Sequence, residues 1–114
     1  MGYRIEYAVT GRTMVARVSG FSRHNATTIA RDIREEAARA AVKHLMIDVR
    51  GLVDRLGNLS TLVRAARPHQ RLAVIDDNRD HDRYHPFAEH EARRGKAKLR
   101  YFADAREALA WLGD

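Results

Sequence analysis

Residues 3 to 9 alternate apolar and polar side chains, which is the pattern of a β-strand with one buried face. Residues 12 to 19 are again of types typical of strands. Between them, Thr10-Gly11 is a tight-turn signal. The chain is therefore predicted to open with a β-hairpin.

After Gly20 the apolar positions recur at intervals of three and four, which predicts an amphipathic helix. Ser22 or Asn25 is available as its N-cap. The apolar stripe consists of Ala26, Ile29, Ala30, Ile33, Ala37, Ala40 and Ala41. A second, shorter helix is predicted from Leu59 to Ala66, because a helix must end before Pro68.

Two further helices are predicted in the second half of the chain. Helical spacing returns with Tyr84, Phe87, Ala88 and Ala92 and is predicted to end at Gly95. Tyr84 and Phe87 are expected to face the core. Asp104, with Glu107 three residues later, is a capping-box arrangement that opens the last helix. Its predicted inward-facing residues are Ala108, Leu109, Trp111 and Leu112.

Three more strands separate these helices. Residues 45–49 and 71–75 are apolar runs, typical of central strands covered on both faces, whereas residues 96–102 alternate charged and apolar side chains. The element order is β-β-α-β-α-β-α-β-α, and strands that alternate with helices need crossovers and a largely parallel sheet. We predict one α/β domain over residues 1–114, with a mixed, mostly parallel five-stranded sheet.

Composition narrows the classes of function. The chain has no cysteine, which excludes disulfides and thiolate chemistry. No apolar run approaches the roughly 20 residues that cross a bilayer, and the N-terminus lacks a signal-peptide core. These features predict a cytoplasmic protein without a membrane span. The net charge is +6, but the basic residues are interleaved with acids along the whole chain, so nucleic-acid binding is not expected.

Four polar residues at predicted strand ends form the candidate ligand-binding site: Asp48, Arg50, Asp76 and Asp77. In open α/β sheets, ligands usually bind outside the carboxyl ends of the strands, so these side chains are expected to converge on one crevice. Adjacent carboxylates of this kind hold Mg²⁺ or transfer protons in some enzymes, and in other proteins they only cap helices and pair with arginine. No catalytic residue is assigned.

The acidic, histidine-bearing segment after Asp76 does not predict a metal site. A calcium-loop pattern fails at His81, where glycine is required, and at Phe87, where a glutamate is required. His81 and His85 are four residues apart, but Pro86 disfavours helical geometry at His85. We expect no metal ion and no cofactor.

Two stretches of the chain carry a family signal. One is Leu-Met-Ile-Asp-Val-Arg-Gly at residues 45–51; the other is Arg-Gly at 94–95, followed by Leu-Arg-Tyr-Phe-Ala-Asp at 99–104 and Ala-Leu-Ala-Trp-Leu at 108–112. These stretches resemble the SpoIIAA-like family of small bacterial proteins, which is related to the STAS domains of anti-sigma-factor antagonists. The resemblance covers essentially the whole chain in element order. It implies a mixed sheet packed with helices and a switch that binds proteins.

In the antagonists of that group, a switch serine follows an aspartate at the start of the helix after the third strand. The comparable run here begins at Asp54, and Arg55 and Leu56 stand at the serine positions. Ser60 and Thr61 follow and are the candidate phosphorylation sites, because a phosphate there would meet a helix N-terminus. The same two residues also suit a purely capping role.

The main functional prediction is a non-enzymatic regulatory module. It would bind another protein, or a second copy of itself, through the sheet edge or the helix after the third strand. One alternative is a protein that binds a small apolar, lipid-like ligand in a pocket between sheet and helices. A further alternative is an enzyme that uses Asp48, Asp76 and Asp77.

Overall fold

A computed structural model of the protein describes residues 2–54, 59–77 and 85–113. Its five strands form one sheet in the order of the sequence. They are β1 Tyr3–Thr10, β2 Thr13–Gly20, β3 His44–Leu52, β4 Arg71–Ile75 and β5 Lys98–Phe102. β1 and β2 are antiparallel, and the other three pairs are parallel. The predicted fold class and element order are confirmed.

Four α-helices alternate with the strands after the hairpin. They are α1 Ala26–Ala40, α2 Leu59–Leu62, α3 His85–Arg94 and α4 Ala105–Leu112. The sequence predicted one helix up to Ala66, but α2 is a single turn that continues as a 3-10 turn, Val63–Ala65. Ala66 is already extended, because the chain has to leave the helical conformation ahead of Pro68.

The helices divide unequally between the two faces of the sheet. α1, the 3-10 turn and α3 share one apolar cluster with Ile47 and Leu72, on what we call the first face. On the opposite, second face, α4 places Ala108 and Leu112 against the centre of the sheet. This helix contacts β3, β4 and β5, while the second face of β1 carries exposed side chains.

The central strand is β3, as the sequence predicted. Every residue from His44 to Val49 is buried, because helices cover both faces of the strand there. The imidazole of His44 accepts a hydrogen bond at Nδ1 from the backbone N–H of Arg71, 3.2 Å away. Burial lowers the pKa of His44, and the charges of Lys43 and Arg71 lower it further.

One core prediction for α3 is wrong. Phe87 was expected to face the core, but 66% of it is exposed. Ala88 and Ala92, which belong to the same predicted helical spacing, are buried, since residues four apart share a helix face and Phe87 is about 100° away from Ala88. The core position predicted for Tyr84 lies outside the described residues. The calcium-loop and histidine-pair interpretations of residues 76–87 also depend on residues 78–84, which lie outside them.

The helix ends show which capping predictions hold. Asp104 is the N-cap of α4 and accepts a hydrogen bond from the backbone N–H of Arg106 at 2.6 Å. Asn25 is the N-cap of α1, yet its side chain makes no cap bond and donates to the carbonyl oxygen of Phe21. At the other end of α1, Ala41 has the left-handed conformation with φ 53°.

We expect the substitution Ala41→Gly to stabilise the protein by about 1 kcal/mol, because a Cβ is strained at positive φ and glycine is not. The matched control is Ala38→Gly, at an exposed position inside α1. It should destabilise the protein by about 0.5–1 kcal/mol. Urea unfolding measures both changes. Equal destabilisation by the two substitutions would contradict the left-handed helix end.

Candidate functional site

Asp48 and Arg50 form an ion pair on the second face of the sheet. Asp48 lies within β3 and not at its end as predicted, because pairing with β2 continues past a bulge to Gly51 and Leu52. Its Oδ1 accepts hydrogen bonds from the backbone N–H and the Nε of Arg50, both at 3.0 Å. Its Oδ2 accepts a third from Nη2 at 2.8 Å.

This pairing fixes the charge state of Asp48, whose side chain is only 10% exposed. Burial by itself raises the pKa of Asp48, but the hydrogen bonds and charge of Arg50 outweigh it and lower the pKa below the ordinary value. The bond to Asp48 in turn raises the pKa of Arg50, with smaller contributions from the charges of Asp77 and Asp104. At neutral pH the carboxylate is therefore ionised and held by a bidentate guanidinium.

The ion pair lies at an open depression of about 430 Å³ on the half of the second face that α4 leaves exposed. Glu6 and Arg17 also line this depression. Carboxylates and guanidiniums thus alternate across β1, β2 and β3, since Glu6 pairs in register with Arg17, and Arg17 with Asp48. The surface is highly polar and close to neutral in charge.

The other two predicted ligand-binding residues, Asp76 and Asp77, follow β4 directly. Asp76 is buried, and its backbone N–H donates to the carbonyl oxygen of Phe102. Its charge acts on Tyr101, whose pKa is raised first by burial and then by Glu89 and Asp76. Asp77 is exposed, and its charge contributes to the raised pKa of Arg50. It does not line the depression that contains Asp48 and Arg50 among the described residues.

Residues two apart along a strand point to the same face of the sheet, so Asp76 follows Leu72 and Val74, which face the helices α1 and α3. It therefore belongs to the first face, whereas Asp48 belongs to the second. Within residues 2–54, 59–77 and 85–113, no group of three or more acidic or histidine side chains is placed to hold a metal ion.

Asp54 connects the loops that follow β2 and β3, a contact that no pattern in the sequence predicts. Its Oδ1 accepts from the backbone N–H of Ser22 at 2.6 Å, and its Oδ2 accepts from the backbone N–H of Arg23 at 2.7 Å. The hydroxyl of Ser22 donates to the backbone carbonyl oxygen of Asp54 at 2.9 Å. Next to it, the backbone N–H of Val53 donates to the carbonyl oxygen of Gly20.

These bonds keep Asp54 ionised. Burial alone raises its pKa, but the N–H groups of Ser22 and Arg23 outweigh burial and lower the pKa. Ser22, proposed from sequence as a helix cap, is instead completely buried against this carboxylate. Ser22 and Asp54 are 32 positions apart, so no local pattern predicts their contact. In the sequence, only the resemblance to the switch region of the antagonists drew attention to Asp54.

Val53 extends into solvent from this connected pair of loops. It is 73% exposed, more than the other exposed large apolar residues, Tyr7, Val9 and Phe87. We call Ser22, Arg23, Val53 and Asp54 the strand-end surface, because they follow the last residues of β2 and β3.

The candidate phosphorylation sites lie in α2. Ser60 and Thr61 are both half-buried. Thr61 lines a depression of about 210 Å³ between α1 and α2, together with Arg31, Arg34 and Arg64. Arg55 and Leu56 lie outside the described residues.

Comparison with known proteins adds one result. No family model matches the sequence, and no curated protein does. Two solved structures are similar over nearly the whole chain. An anti-sigma factor antagonist from Mycobacterium paratuberculosis has a TM-score of 0.67 at 14% identity, covering 99% of this chain and 96% of its own. The anti-sigma factor antagonist SpoIIAA in its unphosphorylated form has a TM-score of 0.53 at 19% identity, covering 97% of each chain.

This protein has a STAS-like fold. The resemblance inferred from sequence is thereby confirmed at the level of the fold, since at these identities the likeness extends no further. In this STAS-like fold the strand-end surface lies at the carboxyl ends of β2 and β3 and leads into α2. None of the helices in the described part of the chain is long and apolar enough to cross a membrane.

The Asp48–Arg50 pair predicts a specific pH response. The pKa of Asp48 is lowered from its ordinary value of 3.8 in the folded wild type, so ionised Asp48 stabilises the fold at pH values above 3.8. This stabilisation is lost as the pH falls through the folded-state pKa. The substitution Arg50→Gln leaves the carboxyl buried without its main partner. We therefore expect the pKa of Asp48 to rise, as measured by carboxyl-carbon NMR titration.

The matched control for this titration is Arg17→Gln, because Arg17 acts on Asp48 through charge alone, with no hydrogen bond between them among the described contacts. Its effect on the pKa of Asp48 should be smaller. An equal or larger shift with Arg17→Gln would show that hydrogen bonding to Arg50 does not control this carboxyl.

Proposed function

We propose that the protein is a regulatory module that binds a protein partner through the strand-end surface. The STAS-like fold supports a role of this kind, because both similar structures are anti-sigma factor antagonists, proteins named for their action on other proteins. The proposal includes the cytoplasmic location predicted from sequence.

The observation that carries the proposal is the position of Val53. An isolated exposed apolar side chain is ordinary, but this one stands on a backbone fixed by Gly20 and by the bonds of Asp54 to Ser22 and Arg23. A rigid apolar group loses little conformational entropy when a partner covers it. Arg23, whose backbone N–H donates to Asp54, provides a polar group beside it, as in the polar rim of an interface.

The geometry gives less support to an enzyme. The carboxylate of Asp48 is engaged by three bonds from Arg50, and Asp76 lies toward the other face of the sheet. A lipid-like ligand is also less well supported. The described depressions are lined by arginines and glutamates, which favour polar partners.

Phosphorylation at Ser60 or Thr61 is part of the proposed regulation. The similar SpoIIAA structure is described as its unphosphorylated form. On this chain, a phosphate on Thr61 would have Arg31, Arg34 and Arg64 around it, and guanidiniums pair strongly with phosphate.

Partner capture with a matched pair of variants tests the proposed surface. The tagged protein is used to capture proteins from extracts of the source organism, and mass spectrometry quantifies them. We expect a stoichiometric partner with the wild type, reduced about tenfold or more by Val53→Asp, because a buried unpaired carboxylate is costly. The control Val9→Asp makes the same change at a residue that is 57% exposed on β1.

The control should retain the partner, and circular dichroism should show that both variants fold. If Val9→Asp loses the partner and Val53→Asp retains it, the contact is at the edge of the sheet. This holds whether the partner is another protein or a second copy of this chain. That result, or the absence of any stoichiometric partner, would overturn the proposal.

A further inference from the structure

The outer side of the helical layer carries a second surface, distinct from the strand-end surface. Two depressions, of about 410 and 210 Å³, lie between α1, the 3-10 turn and α3. They adjoin each other, because Arg34 and Arg64 line both. With Arg31 in one and Arg94 in the other, four arginines surround what we call the arginine groove.

Positive charge exceeds negative charge in this groove. Of the described residues that line the two depressions, Glu91 alone is acidic, and it is shared by Arg64 at 3.4 Å and Arg94 at 3.3 Å. Arg31 lies 3.6 Å from Asp32, which does not line the groove. Among the residues that the structure describes, Arg34 makes no ion pair, although it belongs to both depressions.

The groove also has an apolar floor of small side chains. These residues are buried and contribute to the core cluster of the first face; they are Ala30, Val63, Ala66, Ala92 and Ala97. Four of the five are alanines, so a neighbouring chain can approach the backbone closely. A charged rim around an apolar floor is the arrangement of a protein-binding site.

Folding alone does not account for this grouping. Like charges brought together repel each other, and the single carboxylate of Glu91 cannot neutralise four guanidiniums. Arginine is also the residue best suited to bind carboxylates in a bidentate geometry. We infer that the arginine groove binds an acidic segment of the protein partner, with its carboxylates paired to the arginines and its apolar atoms on the alanine floor.

This inference rests on the proposed function and specifies the chemistry of the partner. A protein segment fits better than nucleic acid, because none of the described residues that line the groove has an aromatic side chain to stack on a base. The apolar floor likewise suits a peptide better than a free inorganic anion.

A labelled model peptide tests the inference directly. A fluorescein-labelled octapeptide of alternating glutamate and alanine is titrated with the whole protein at low salt, and fluorescence anisotropy reports binding. We expect the glutamate peptide to bind and the corresponding glutamine peptide not to bind. The substitution Arg34→Glu should weaken binding about tenfold. The control Arg4→Glu changes the net charge equally on β1, where Arg4 is 77% exposed, and should change binding less than twofold.

Three results would overturn the inference. Equal weakening by the two substitutions would mean that only net charge matters. Tighter binding of a single-stranded oligonucleotide, also lost with Arg34→Glu, would assign the groove to nucleic acid. Displacement of the peptide by millimolar inorganic phosphate at constant ionic strength would assign it to small anions.

Partner capture separates failure of this inference from failure of the proposed function. If Arg34→Glu retains the captured partner while Val53→Asp loses it, the strand-end surface stands and the groove inference fails. If Arg34→Glu binds the peptide normally, the inference fails whatever the partner does. If no partner is captured at all, the proposed function fails.

Discussion

The order of the strands, together with the handedness of their connections, decides where every surface of this protein lies. Strands β2 to β5 are neighbours in both sequence and space, and crossovers between parallel strands share one hand. Successive helices must then pack on the same face, as α1 and α3 do. Of the described helices, α4 alone, which follows β5, lies on the other face. The arginine groove and the open half of the second face both follow from this constraint.

The segment that leaves β3 borders both proposed binding surfaces. Val53 and Asp54 belong to the strand-end surface, and Thr61 and Arg64 line the arginine groove only a few residues later. A phosphate on Thr61 would occupy the same guanidiniums as an acidic segment of a partner, so the two would compete. In the proposed function, regulation and recognition would thus use the same charges. The bonds of Asp54 hold the start of this segment against the loop after β2.

Much of the fold was predictable because apolar periodicity reports burial. The alternation in β1, the strand-like residues of β2, the stripe of α1 and the apolar run of β3 each matched a described element. Single positions were less predictable. Phe87 was predicted on the same helix face as Ala88 and Ala92 but is exposed. Asp48 was predicted at a strand end, but pairing extends the run 45–49 by three residues to Leu52. Contacts between distant loops, such as that of Asp54 with Ser22, leave no periodic signal, and neither does the meeting of arginines from three separate elements.

In the proposed function, a protein partner contacts the carboxyl ends of β2 and β3. The test is to compare the backbone amide NMR spectra of the free protein and of its complex with the captured partner. We expect the largest changes at residues 21–23 and 53–54, continuing into residues 60–64. Changes confined to β1 or to α4 would contradict it, because the partner would then bind the sheet edge or the opposite face.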